Sequence, residues 1–149
     1  IKKRSRKNNM EHSNEKCVMV INAELPLGLI ANTAGILGVT LGKLAPQIVG
    51  EDVVDQSGNS HLGVVAIPVP ILSVSKEKLK TIREQLYQPE FSDLIVVDFS
   101  DVAQSCKNYP EYIEKAAAVT EEEITYFGIG IYGPKKRVNK LTGDLPLLR

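Results

Sequence analysis

Tryptophan is absent from this 149-residue chain, cysteine and histidine occur twice each, and aromatic residues reach only 5%. Two cysteines, Cys17 and Cys106, cannot make a disulfide framework and read as reduced thiols of a cytoplasmic protein. Neither has a second thiol or an imidazole at metal-ligand spacing, so no metal is expected, and no cofactor either. No apolar run is read as a membrane span and no secretory apolar core is read at the start, so no membrane partner is expected. Net charge is zero as well, with 18 basic and 18 acidic residues.

That neutrality hides an asymmetry. Residues 1–9 hold five basic residues and no acidic ones, leaving 13 basic against 18 acidic in the remainder. The expected division is a basic leader or disordered extension over 1–15, then a single domain over 16–149. An acidic body is a poor base for an RNA face, which needs clustered Lys and Arg; tRNA is therefore a possible but not a favoured partner.

Strands alternate with helices along the body. Cys17-Val18-Met19-Val20-Ile21 reads as a buried strand, and Leu25-Pro26 turns it into a helix. Ile30, Ala34, Leu37, Leu41 and Leu44 form its apolar stripe, while Gly28, Gly35, Gly38 and Gly42 share another side. Four glycines on one side predict that something presses close there: the sheet, a partner subunit or a ligand near Gly28 and Asn32. Residues 50–74 read as a hairpin followed by a strand: Asp55 to Asn59 is a turn cluster, and His61 to Ile67 is expected to return as a strand that lies at an edge or bulges, given Pro68 and Pro70. Ser75 caps a helix with Leu79, Ile82 and Leu86 inward, and Leu94 to Asp98 is a buried strand. The alternation predicts a three-layer α/β/α sandwich around a small mixed, mainly parallel sheet.

At the far end a strand over 123–131 leads into a short helix opened by Gly133-Pro134 and closed by Thr142-Gly143, and Leu145 to Leu148 folds back as an apolar plug. Gly128-x-Gly130-x-x-Gly133 matches the dinucleotide fingerprint as a pattern, yet no further strand with an acidic residue about 20 positions on follows it. Pro134 also removes a backbone donor that a pyrophosphate would use.

Thr125, Gly128-Ile129-Gly130, Pro134, Lys140, Thr142-Gly143 and Leu145 together resemble the end of the type II peptidyl-tRNA hydrolases. The longer pattern, Tyr132-Gly133-Pro134-x-Lys136 and Lys140-Leu141-Thr142-Gly143-x-Leu145-Pro146-Leu147-Leu148-Arg149, resembles a bacterial sister group, the "domain of unknown function 2000" family. That resemblance runs from about Lys16 to the C-terminus and implies the peptidyl-tRNA hydrolase II-like fold. In the first helix the chain carries the sister group's Leu25-Pro26-x-Gly28-Leu29-x-Ala31-Asn32. Leu29 and Ala31 stand near the hydrolases' lysines, Gly35 near their glutamine and Gly38 near their histidine. The segment Asp98 to Tyr112 is an insertion relative to the hydrolases. Asp98 and Thr125 match two of that family's functional positions, and the resemblance implies them as catalytic residues if the chain hydrolyses an ester or amide such as peptidyl-tRNA.

Chemistry in such sheets gathers beyond the strand ends. Asp98 or Asp101 either caps the helix that follows or serves a site. Cys106 as a nucleophile would need a base, for which His61 is the candidate. Lys136 and Lys140, one turn apart with Asn139 between, either balance the helix dipole or hold an anion. The reading expected first is a small-molecule binding or regulatory domain. Its ligand is a small anion, held by Asn32, Gln104, Tyr109, Lys136, Asn139 and Lys140 around Asp98. The alternative is the hydrolase using Asp98 and Thr125. A homodimer through the glycine-bearing helix is the expected assembly.

Overall fold

The computed structural model describes residues 14–149; the basic segment lies outside the described residues. β1 (Glu15–Asn22) is buried from Cys17 onward, as its run of large apolar residues demands. It is followed by α1 (Leu27–Leu44), an arm carrying β2 (Val53–Val54) and β3 (Ser60–His61), then β4 (Ile71–Val74) and α2 (Lys76–Leu86). β5 (Ile95–Ser100), α3 (Asp101–Gln104), α4 (Tyr109–Ala117), β6 (Tyr126–Pro134) and α5 (Lys135–Thr142) complete the domain.

The main sheet has the order β4-β1-β6-β5. β1 and β4 are parallel, whereas β6 runs antiparallel to both β1 and β5. The sheet is thus mixed as expected but mainly antiparallel rather than mainly parallel. α3 and α4 explain the difference: they return the chain to the end of the sheet where β5 finished, so β6 must run back alongside it. Strand–helix alternation alone does not reveal whether a helix crosses the sheet or stays at one end.

Helices cover both faces. Leu37 and Leu41 of α1 pack on Cys17, Met19 and Ile21, while Leu79 and Ile82 of α2 and Val138 of α5 pack on Val18, Val20, Ile129 and Ile131. Each such fully buried aliphatic side chain contributes about 1.5–3 kcal/mol. Ser75 caps α2 as predicted, accepting the Lys78 N–H at 3.1 Å. The apolar plug is a sheet closure: Ser73 N–H donates to Pro146 O and Leu148 N–H to Ile71 O, both at 2.8 Å, so the tail covers the outer edge of β4.

Two expectations are corrected. Among the described residues nothing lies within 4 Å of a Cβ built on Gly28, Gly35 or Gly42, and one on Gly38 would make only an ordinary contact with Met19 Cε at 3.5 Å, so the α1 glycines are not where the sheet presses close. The close approach uses glycines of β6 instead. A Cβ on Gly128 would sit 2.7 Å from Thr33 Cγ2, and one on Gly130 would sit 2.8 Å from Leu41 Cδ1. The motif that imitates a phosphate loop is a bed for a helix.

Second, residues 61–67 do not join the main sheet. Gly63 crosses Gly50 so tightly that a Cβ would lie 1.8 Å from the Gly50 oxygen. The strand stops at His61, a single Val49–Val65 bridge follows, and the sheet strand forms only after Pro70.

Gly128→Ala is expected to destabilise the fold by about 1–3 kcal/mol, because Thr33 is fully buried and has little room to retreat. Urea unfolding at matched slope would measure it, and an unchanged midpoint would contradict the close packing. Cys17 is 1% exposed and burial pushes its thiol up to about 11, whereas Cys106 is partly exposed. A thiol reagent at pH 8 should therefore modify one cysteine per folded chain and the second only on denaturation; two rapid equivalents would show that β1 is not shielded.

Candidate functional site

α1 sits deep on the centre of the sheet, and a cleft opens between its outer flank and the β5 edge. Ile36 and Thr40 of α1 form one wall, Val97 to Phe99 of β5 the floor, and Cys106, Lys107, Tyr109 and Tyr112 the other wall. Its volume is about 450 Å³, in the size range of small-molecule sites. The second wall is built from local caps. Ser100 accepts the Ala103 N–H at the start of α3, and Asn108 accepts the Glu111 N–H at the start of α4. Tyr109 and Tyr112, one turn apart, meet edge to face at 5.6 Å. The Tyr112 hydroxyl is held above its usual range, first by burial and then by the charge of Asp98.

Asp98 lines this cleft but is not unpaired. Arg83 Nε on α2 donates to its Oδ2 at 2.8 Å, and both side chains are largely buried. The Arg83 guanidinium also stacks 3.9 Å from the Tyr87 ring centre. Neither Asp98 nor Asp101 is the cap of α3, which is Ser100; Asp101, its first residue, accepts the Val102 N–H and ties the helix start to the Thr125 N–H. Sequence reading missed Arg83, Ile36, Thr40 and Lys107. Arg83 sits one residue after Ile82 of the buried stripe, and only the fold could place it beneath β5.

Thr125 lies elsewhere. Opposite β5 the register places Ile129 beside Asp98 and Tyr126 beside Ser100, so Thr125 falls near Asp101. That is about 10 Å along the strand from Asp98. It lines a smaller hollow of about 200 Å³ with Lys76, Glu77 and Lys80. There Lys80 Nζ donates to the Glu121 and Ile124 carbonyls. The Tyr126 hydroxyl, pushed up by burial and then by its bond to Glu121 at 2.5 Å, is a neutral donor.

The remaining expected ligand residues do not converge. Asn32 is exposed on α1, and Gln104 is exposed at the end of α3. α5 leaves β6 beside the start of β1, with Gly133 opposite Lys16, at the end of the sheet away from Asn22 and the start of α1. Lys16 Nζ donates to Asn139 Oδ1 at 2.6 Å, Lys140 pairs with Glu90, and Lys136 is exposed. A single pocket between Asn32, Asp98 and α5 is therefore not formed; of the expected set, Asp98 and Tyr109 share a cleft. Cys106 and His61 are also separated. Cys106 Sγ donates to the Val102 carbonyl, while His61 pairs with Asp55 on the arm beyond the other flank of α1.

The fold has a solved counterpart. A protein of unknown function from Agrobacterium tumefaciens strain C58 superposes with a TM-score of 0.80 at 16% identity, covering 90% of this chain and 97% of that one. No curated protein matches the chain. The model of a family described as "protein of unknown function (DUF2000)" matches residues 15–149, which span the whole sheet, both helical layers and the α3–α4 wall of the cleft. The chain belongs to that family.

Proposed function

We propose that this protein is a small-molecule binding domain whose ligand occupies the cleft between α1, β5 and the α3–α4 segment. One observation carries the reading: Asp98 to Tyr112 builds one wall and much of the floor of a cleft of ligand size. The chemistry of the lining defines the ligand class. Ile36, Val97 and the two tyrosines offer apolar and aromatic surface. Lys107 supplies a cation at the rim, and the hydroxyls of Thr40, Tyr109 and Tyr112 supply hydrogen bonds. Asp98 adds little net negative charge because Arg83 neutralises it. A small planar molecule bearing one carboxylate or phosphate satisfies these features.

The mixed sheet and the Gly128-Ile129-Gly130 strand support a peptidyl-tRNA hydrolase II-like reading of the fold. The hydrolytic alternative has weaker support. Asp98 is engaged by Arg83, and Thr125 opens into a different hollow, so the two do not flank one reacting bond.

Titrating ¹⁵N-labelled protein with small aromatic carboxylates and aryl phosphates tests the binding reading. Amide shifts are expected at Val97 to Phe99 and Ala103 to Tyr112, and Lys107→Ala should weaken the best ligand about tenfold, the effect of one charged contact at a rim. Responses confined to α5, or none at millimolar ligand, would move the site away from this cleft.

A further inference from the structure

On the other flank of α1 lies a second groove of about 530 Å³, and its lining is almost entirely apolar. Its floor is the small-residue side of the helix, Ala34, Gly35, Gly38 and Gly42, and its far wall is the root of the arm, Val49, Val64 and Val65. Among the described residues nothing lies within 4 Å of where a Cβ on Gly35 or Gly42 would project. The helix therefore keeps glycines facing open space, where alanine would favour the helix by up to about 1 kcal/mol each.

The arm presents the opposite shape. β2 and β3 form a separate two-stranded sheet that pairs with neither edge of the main one. Along the arm Val49, Val53, Val54, Leu62, Val64 and Val65 are 40–83% exposed. A lone two-stranded hairpin is marginal in water, and among the described residues little covers its apolar side chains. With Val39 of α1, itself 76% exposed, they leave seven large aliphatic side chains uncovered in this region. Apolar side chains left uncovered together in this way mark a docking surface rather than ordinary monomer surface.

We infer that two copies of this chain pair through this region, each laying its arm across the glycine-floored groove of the other. Val53, Val54 and Leu62, exposed on the arm beyond the groove's own wall, and a groove lined by glycine occur on the same chain, which is the self-complementarity that a two-fold interface requires. Charge agrees with this arrangement. Lys43 is the single charged residue among the 18 of α1, and the arm carries exposed Glu51. This inference is independent of the ligand cleft, which lies on the opposite flank of α1.

Sedimentation equilibrium over micromolar to hundred-micromolar protein tests it, using Leu62→Glu on the arm and Gly35→Leu in the groove. Both positions face open space, so far-UV circular dichroism should match the parent. The parent should sediment at about twice the 16.3 kDa chain mass, and each variant should raise the dissociation constant by about 30-fold or more, the loss of a buried anchor. A parent that stays at chain mass throughout overturns the inference. So does a dimer unaffected by both variants, which would place the interface elsewhere, for example at the β5 edge. A monomeric parent that co-sediments with phosphatidylcholine vesicles would assign the apolar surface to lipid instead.

Discussion

The contact on which the rest depends is the seating of α1 on the glycines of β6. With no side chain at Gly128 or Gly130 on that face, Thr33, Leu37 and Leu41 reach the floor of the sheet and are fully buried. A larger residue at either position would lift the helix by the thickness of a methyl group, and the tight packing of the interior has no slack to absorb that. The depth has a lateral result. A helix sunk into the middle of a four-stranded sheet leaves its two flanks standing over the outer strands, and both flanks become clefts. One is walled by α3 and α4 and has polar tips; the other is walled by the arm and is greasy.

The polar side of the molecule is organised by a different kind of constraint. Arg83 reaches under β5 from α2, takes the Asp98 carboxylate and lies on the Tyr87 ring. A carboxylate this deep needs such a partner, because stranding either charge costs several kcal/mol. The pair fixes the strand relative to the helix beneath it, and it leaves the cleft wall above to neutral hydroxyls and the Lys107 cation.

Much of the fold was legible because burial writes itself into short sequence periods. The β1 run, the Leu79–Ile82–Leu86 stripe, the Ser75 cap and the α5 boundaries at Pro134 and Gly143 are local signals, and each is where it was expected. Strand direction was not legible, since nothing in Asp101 to Ala117 says whether that helical segment crosses the sheet or doubles back at its end. The glycines were legible as unusual, but the sheet is not what most of those on α1 face: among the described residues Gly28, Gly35 and Gly42 meet nothing and Gly38 touches Met19, whereas Gly128 and Gly130 of β6 meet α1. The arm misled for a similar reason. Alternation through Gly63 looks like a strand, and only the crossing of two backbones at Gly50 breaks it. For the cleft, Asp98 and Tyr109 were visible in sequence, whereas Arg83, Ile36 and Thr40 arrive from elements distant in the chain.

The pairing of β1 with β6 also governs how the chain reaches this state. The two central strands join Glu15 to Pro134 and Ile21 to Gly128, partners more than a hundred positions apart. The sheet cannot acquire its middle until nearly the whole domain has been gathered into one loop, and the entropy of closing that loop must be met before the central contacts return anything. Local pieces such as α2 with its cap can form early, but β4 and β5 have no common scaffold until β1 and β6 meet. Slow, cooperative assembly is therefore inherent in the strand order.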